Sequence, residues 1–194
     1  MIITSRRINF SVLSMIKMSN KDTKLNTPLT VEKITSLRAG DMVLLSGKII
    51  GARDMAHKRL IEALEKKEKL PVELKDQVIF YLGPSPTPPG KISGSIGPTT
   101  SARMDGLSEP LLAAGVKAMI GKGRRSKYLN NLLVKYKAVY FIAPGGVAAF
   151  LSTKVKSIKE VAYMDLGPEA IYMLEVTDFP LVVANDIYGG DIFK

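Results

Sequence analysis

Three short stretches place a cation or hydroxyl groups just after a glycine that follows an apolar, strand-like run. They read "IIGARD", "SIGPTTSAR" and "MIGKGRR". Their polar side chains are Arg53, Thr99, Thr100, Arg103 and Lys122, with Arg124 and Arg125 nearby. Glycine lets backbone N–H groups approach a ligand, and arginine binds a carboxylate through two parallel hydrogen bonds. The three loops together predict a site for a small dianion such as a dicarboxylic acid.

Simpler interpretations of the same loops stay open at this level. In "GSIGPTTSARMDG", residues 94–106, the two threonines could cap a helix after the proline. Asp105 could orient Arg103, and Lys122 could belong to a solvated run of charges. Residue types and spacing alone therefore indicate an anion site without naming the anion.

A helix is predicted immediately after Arg53, over "RDMAHKRLIEALEKKEKL". Its apolar residues recur at helical spacing, and Asp54 has the residue type of an N-cap. His57 lies one turn after Arg53, so it would share a helix face with it. A single histidine in such a position is more often a structural hydrogen-bonding group than a catalyst. Asp54, His57 and Asp105 are therefore predicted to have supporting roles at most.

Composition limits the kinds of site that the chain can build. The 194 residues include no cysteine and one histidine, which excludes disulfides, thiolate metal sites and histidine-rich metal sites within one chain. We therefore predict no metal ligand in this chain, and any metal chemistry would involve carboxylates or a partner. The absence of cysteine also fits a cytoplasmic location, which we take as the prediction.

The net charge of +10 favours anionic partners, which include nucleic acids, anionic membranes and small anions. Nucleic acid is the weaker alternative because no zinc-finger spacing or aromatic-rich RNP strand is present. The longest uncharged apolar stretch, "AVYFIAPGGVAAFL", is too short for a membrane span and is interrupted by Pro-Gly-Gly. No membrane association is predicted.

Short apolar strands alternate with helices along most of the chain, which indicates an α/β fold with a mixed sheet packed by helices. Predicted strands include "MVLLSGKIIGA", with Gly47 as a bulge or a turn, and "VAYMDL", "IYMLEV" and "PLVVAND" near the end. "SEPLLAAGV" is predicted as a helix capped by Ser108, and "PSPTPPGK" as a stiff loop. Residues 1–24 are predicted to be a poorly ordered extension, and residues 25–194 the folded domain. In such folds, ligands bind at the loops that leave the carboxyl ends of the strands.

Longer motifs of the sequence indicate a resemblance to a known family. The segments "LSGKIIGARDMAHKRL", "GPSPTPPGKISGSIGPTTSARMD", "MIGKG", "APGGVAAFL", "DLGPEAIYMLEV" and "DFPLVVANDIYGGDIF" resemble the β subunit of class I, iron–sulfur fumarate hydratases and of L(+)-tartrate dehydratase. The resemblance runs from about Thr27 to the C-terminus. It implies a swivelling β/β/α domain that acts with a cysteine-bearing α subunit, usually as a dimer of αβ units. That subunit would hold a [4Fe–4S] cluster, and the enzyme would belong to the tricarboxylic acid cycle.

The resemblance also implies roles for the loop residues. Arg53 would bind one substrate carboxylate, and Arg103 with Lys122 would hold the other. Thr99 and Thr100 would contact the substrate, and Thr99 would be the proton-transfer group. A threonine hydroxyl is a poor base on its own, so it needs a neighbouring proton acceptor, either Asp105 or an acid of the partner.

Three functions follow as hypotheses. The main one is reversible hydration of fumarate to L-malate by a carbon–oxygen hydro-lyase that is active only with its α subunit. The second is dehydration of L(+)-tartrate, whose substrate differs from malate by one hydroxyl. The third is non-catalytic binding of an anion or nucleic acid. Under the first two, the isolated chain is expected to be inactive and to self-associate through the exposed partner-facing surface.

Overall fold

The computed structural model describes residues 22–85, 90, 92, 94, 96–143 and 148–194. Most of the predicted extension 1–24 lies outside these residues, and its last two residues belong to the first strand. Most of the predicted loop "PSPTPPGK" also lies outside them.

Strands and helices alternate along the described chain, so the predicted α/β class with a mixed sheet is confirmed. The strands are β1 (Thr23–Asn26), β2 (Met42–Gly51), β3 (Val78–Phe80), β4 (Ala118–Gly121), β5 (Val139–Ile142), β6 (Val155–Ala162) and β7 (Ile171–Asn185). The α-helices are α1 (Val31–Ile34), α2 (Asp54–Glu65), α3 (Asp105–Ala113), α4 (Lys127–Tyr136) and α5 (Ala148–Thr153). Short 3-10 helices cover Ala102–Met104 and Met164–Glu169.

The sheet closes into a small barrel. Strands β2, β3, β4 and β5 pair in parallel in that order. The 15-residue strand β7 then pairs antiparallel with both β5 and β2, which completes the ring. Strand β1 extends the ring beside β2, and β6 extends it beside β7. Closure removes most free strand edges, because β7 is long enough to satisfy partners on both of its sides.

Alternation along the strands builds two separate cores. One set of strand side chains forms a cluster that we place inside the barrel, including Val43, Phe80, Ile120, Phe141 and Leu181. The alternate set joins the helices in a second cluster, including Ile79, Met119, Tyr140, Leu60, Leu111 and Leu132. Successive side chains of a strand point to opposite faces, so every central strand serves both cores. Helices α2, α3 and α4 therefore lie on the outer face, whereas α1 and α5 contribute Ile34 and Leu151 to the first cluster.

Several local predictions are confirmed. Strand β2 contains the predicted irregularity at Gly47, where its register with β7 shifts. Gly47 has φ of +110°, and a Cβ there would overlap Thr27 Oγ1, so the bulge requires glycine. The predicted helix after Arg53 corresponds to α2.

Other local predictions are wrong in detail. "IYMLEV" and "PLVVAND" are one continuous strand, β7, rather than two, because the chain passes through Asp178 at φ of +46° without leaving the sheet. Only the first two residues of "VAYMDL" lie in β6, since Tyr163 adopts a left-handed conformation and starts a 3-10 helix. Helix α3 begins at Asp105, so Ser108 lies inside it rather than at its cap. Its hydroxyl donates to the carbonyl of Met104.

Across residues 22–85, 90, 92, 94, 96–143 and 148–194, none of the helices has the length and apolar character needed to cross a bilayer.

Candidate functional site

The three predicted loops leave the same edge of the sheet. Parallel strands β2, β3 and β4 end next to one another, with Gly51 in register with Phe80 and Phe80 in register with Ile120. The segment 98–100 joins this edge through two isolated bridges, Leu82 with Pro98 and Thr100 with Lys122. The topology thus brings "IIGARD", "PTTSAR" and "IGKG" together, as parallel strand ends require.

The threonines lie in extended backbone at this edge and do not cap a helix. The N–H of Thr99 donates to the carbonyl oxygen of Tyr81 at 2.9 Å, and its Oγ1 donates to the same oxygen at 3.2 Å. Thr99 is half-buried and Thr100 is exposed. The Tyr81 carbonyl therefore fixes the orientation of the Thr99 hydroxyl, whose lone pairs remain available to a ligand.

Arg103 forms a two-point ion pair with Asp54. Its Nε lies 2.8 Å from Asp54 Oδ1 and its Nη2 lies 3.0 Å from Oδ2, while Nη1 donates to the Thr100 carbonyl at 3.1 Å. The hydrogen bonds from Arg103 hold the pKa of Asp54 below its usual value. The predicted N-cap role of Asp54 is wrong, because Arg53 occupies the cap position and the Asp54 side chain is directed to Arg103.

Arg53 lies against the loop that follows β3. A Cβ on Gly83 would come within 2.9 Å of Arg53 Nη1, so glycine makes room for the guanidinium. Nη2 forms an ion pair with Glu169 Oε1 at 3.2 Å. Nε is buried and has no hydrogen-bond partner among the described residues. Arg53 therefore retains one buried donor that a ligand carboxylate could satisfy.

Glu169 is a member of the site that the sequence did not reveal. Its Oε2 accepts a hydrogen bond from the N–H of Met55 at 2.9 Å, in the first turn of α2. A carboxylate there is favoured by the unpaired N–H groups and the dipole of the helix. Glu169 follows Arg53 by more than a hundred residues, so no local spacing links the two. The only available signal was its place in "DLGPEA", within a motif of the resemblance.

Lys122 is exposed, and no ion pair to its side chain is present in the described part of the chain. Its backbone is firmly held, since its N–H donates to Ser101 Oγ at 3.0 Å and its carbonyl accepts from Ser101 N at 3.1 Å. The ammonium group is thus a free cation on a fixed backbone, beside Thr100.

A second group of polar residues lies beneath these loops. His57 is 1% exposed, its ring contacts Tyr81, and its Nδ1 lies 3.2 Å from the Arg53 carbonyl. Burial lowers the pKa of His57 to about 4. The imidazole is therefore neutral at pH 7, and a proton on Nδ1 would complete the contact with Arg53. The structural role proposed for His57 fits this environment.

Asp105 does not orient Arg103. Its carboxylate accepts from Arg125 Nε and from the N–H of Ser126 at 2.8 Å. Arg125 is 3% exposed and lies over the rings of Tyr81 and Tyr140. Both oxygens of Asp105 are thereby occupied, so the alternative in which Asp105 relays a proton for Thr99 loses its geometric basis.

The predicted ligand-binding residues form an open surface. A cleft of about 720 Å³ is lined in part by Pro84, Gly167, Pro168 and Tyr172. Arg53, Thr99, Arg103 and Lys122 do not line it. Thr100, Arg103 and Lys122 are exposed, so the surface that these residues form is open to solvent.

The donors of this chain do not fit an iron–sulfur cluster. Such clusters are held mainly by cysteine thiolates, and the sequence has no cysteine. In addition, no three His, Asp or Glu side chains of the described segments come together as a metal site.

Comparison with known proteins identifies the family. A family model described as "Fumarase C-terminus" matches residues 5–194. The chain belongs to the fumarase C-terminus family.

The proteins similar to this chain include separate subunits and a longer chain. The chain is 42% identical over 172 residues to a putative L(+)-tartrate dehydratase subunit beta of Methanocaldococcus jannaschii, covering 86% of this chain and 88% of that protein. It is 35% identical to the L(+)-tartrate dehydratase subunit beta of Escherichia coli, covering 87% and 85%. It is 39% identical to the aerobic class I fumarate hydratase of E. coli, covering 88% of this chain but 32% of that enzyme. The chain thus spans about a third of the longer relative's length.

Proposed function

We propose that this chain is the β subunit of a two-subunit hydro-lyase that reversibly hydrates fumarate to L-malate. The observation that carries the proposal is that Arg53, Thr99, Arg103 and Lys122 meet at one sheet edge in a member of the fumarase C-terminus family. The chain would supply carboxylate-binding and proton-transfer residues, and an α subunit would supply the opposite wall.

Carboxylate binding follows from the donors that remain available. Arg53 keeps its buried Nε and Lys122 its ammonium group, whereas Arg103 is already held by Asp54 through Nε and Nη2. We propose that Asp54 holds the Arg103 guanidinium in a fixed plane, so that its remaining N–H groups face the ligand. Cations at both ends of a dicarboxylate would stabilise the negative charge that develops during proton removal or addition.

Proton transfer would use the Thr99 hydroxyl. In the hydration direction, the Oγ1–H bond of Thr99 breaks and a C–H bond forms on the carbon next to the one that receives the hydroxyl. The Tyr81 carbonyl orients the Thr99 hydroxyl, but it has no proton to return to Thr99 Oγ1 after the transfer. With Asp105 engaged by Arg125, an acid of the partner is the better source of the returning proton.

The [4Fe–4S] cluster would be held by a cysteine-bearing α subunit. This chain has no thiolate to offer, and the exposure of its anion site leaves room for a second polypeptide. We further propose a dimer of αβ units, a swivelling movement of this β/β/α domain against its partner, and self-association of the isolated chain. A cytoplasmic location stays a prediction.

L(+)-tartrate dehydration is the second candidate. It is favoured by the 42% identity to a putative tartrate dehydratase subunit beta that has nearly the same extent as this chain. The substrates differ by one hydroxyl, so residues of the α subunit could decide between them.

Anaerobic co-expression with the candidate α subunit tests both. Turnover of fumarate and malate by the complex, with none by the isolated chain, is expected. Preferential turnover of L(+)-tartrate would favour the second candidate, and a complex inactive on all three acids would contradict the proposal.

Substitution of Thr99 tests its role in the same complex. Thr99→Ala removes the hydroxyl and should lower kcat at least about 100-fold, in the range typical of general acid–base groups. Thr99→Ser keeps the hydroxyl and should retain most activity. Near-full turnover by the alanine variant would show that another group carries the proton.

A further inference from the structure

A fully buried hydroxyl connects the two loops that carry Thr99 and Lys122. Ser101 is 0% exposed. Its Oγ accepts from the N–H of Lys122 at 3.0 Å and donates to the carbonyl of Thr99 at 3.3 Å. Its own N–H donates to the carbonyl of Lys122 at 3.1 Å. One residue therefore joins both backbones by three hydrogen bonds.

The chain makes room for this hydroxyl. A Cβ on Gly121 would overlap Ser101 Oγ, so the residue before Lys122 has to be glycine for the hydroxyl to lie there. Strand β4 ends at this glycine, directly beneath the bridge between Thr100 and Lys122. The glycine of "MIGKG" thus serves the contact between the loops as well as backbone access for a ligand.

A second buried hydroxyl supports the first. Tyr140 OH donates to the carbonyl of Gly123, the residue after Lys122, at 3.1 Å. Burial raises the pKa of Tyr140 to about 12, so the phenol stays a neutral donor at pH 7. Ser101 and Tyr140 together hold the turn that contains Lys122 on both sides of that residue.

We propose that Ser101 is a positioning residue that sets the distance between the Thr99 hydroxyl and the Lys122 ammonium group. This rests on the proposed function, in which Thr99 transfers the proton and Lys122 holds a carboxylate. A shift of either loop would move the reacting carbon away from Thr99. Losses of alignment on the order of 1 Å are costly in enzymes, which gives the contact a kinetic consequence.

Ser101→Ala in the assembled complex tests the proposal, with Ser108→Ala as the matched control. Ser108 is also fully buried, and its hydroxyl also donates to a backbone carbonyl, that of Met104. It accepts a hydrogen bond from Arg125 Nη2 at 3.2 Å, but none joins it to Thr99 or Lys122. Ser101→Ala should lower kcat about 10-fold or more and raise KM a few-fold. It should also increase the primary deuterium isotope effect on malate dehydration, because C–H cleavage becomes slower than the other steps. Ser108→Ala should leave the isotope effect unchanged.

Equal kcat, KM and isotope effects for the two alanine variants would overturn the proposal. If Ser101→Ala does not fold, Tyr140→Phe gives the same test through the supporting hydroxyl, and an unchanged kcat would count against it.

Hydrogen exchange of the isolated chain separates this proposal from the proposed function. Ser101→Ala should speed exchange of the Lys122 amide at least about 10-fold, whereas Ser108→Ala should not. Faster exchange with an inactive wild-type complex would contradict the proposed function and leave the connection between the loops intact. Unchanged exchange would contradict the connection itself.

Discussion

Arg103 and Asp105 lie two residues apart, and each belongs to an aspartate–arginine ion pair. The two pairs differ in burial. Arg103 pairs with Asp54, and the side chains are 43% and 28% exposed. Asp105 pairs with Arg125, whose side chain is 0% exposed. Removing one partner of a buried ion pair strongly destabilises a protein, because an uncompensated buried charge remains, whereas exposed pairs contribute little to stability. One pair is therefore enclosed between the loops, whereas the other leaves the Arg103 guanidinium partly exposed. Under the proposed function, the exposed pair presents a cation to the ligand.

Breaking the buried pair should have the largest effect. Asp105→Asn keeps the shape of the side chain but leaves the Arg125 guanidinium without its counterion. We expect a loss of about 3–5 kcal/mol in the free energy of unfolding, measured by urea denaturation of the isolated chain. The double variant Asp105→Leu/Arg125→Met removes both charges and should recover much of the loss. A loss below 1 kcal/mol for Asp105→Asn would show that the pair is not structural.

Acid should lower the free energy of unfolding through His57, which is buried beneath the loops. The unfolded histidine has a pKa near 6.5, and the folded one has a pKa of about 4. As the pH falls from 6.5 to 4, the unfolded chain binds a proton that the folded chain excludes, so stability falls. The loss should reach about 3 kcal/mol near pH 4. Denaturation between pH 7 and pH 4 measures it, and His57→Gln should flatten the dependence; the same slope in that variant would assign it to other groups.

Breaking the exposed pair should affect activity more than stability. Arg103→Ala removes charged hydrogen bonds to the ligand. Transition-state stabilisation should fall by about 2–3 kcal/mol, which lowers kcat/KM roughly 30- to 150-fold. The free energy of unfolding should change by less than about 1 kcal/mol. Arg59→Ala is the control, because Arg59 forms a similar two-point exposed pair with Asp165 outside the site. Equal activities of the two variants would remove Arg103 from the binding site.

The smallest effect is expected from Asp54→Asn. It should cost less than about 1 kcal/mol of stability, since the pair with Arg103 is partly exposed. The depressed pKa of Asp54 means that this contribution exists above pH 4 and disappears as the pH falls through the folded pKa. Thermal unfolding at pH 7 and pH 3 measures it. A loss similar to that of Asp105→Asn would erase the distinction between the two pairs.

Local patterns revealed the loops but not the pairings within them. The glycine turns after β2 and β4 and the helix at Asp54 were readable, since each depends on neighbouring residues. The pairing of Asp105 with Arg125 could not be predicted from the sequence, because Arg103 is the cation nearer to Asp105 along the chain. Separation in sequence also hid Glu169, which forms its ion pair with Arg53 across the tertiary fold.

The α/β class, the absence of a thiolate site, and the set of cations and hydroxyls placed after strand ends could all be predicted from the amino-acid sequence. These properties depend on composition and on short periodic patterns, which the unfolded chain already carries. The ring closure by β7, the partner of each charge, and the burial that encloses one ion pair and leaves the other exposed became visible only in the folded chain. Those outcomes depend on which distant segments meet and how much water they exclude, and no local spacing encodes either.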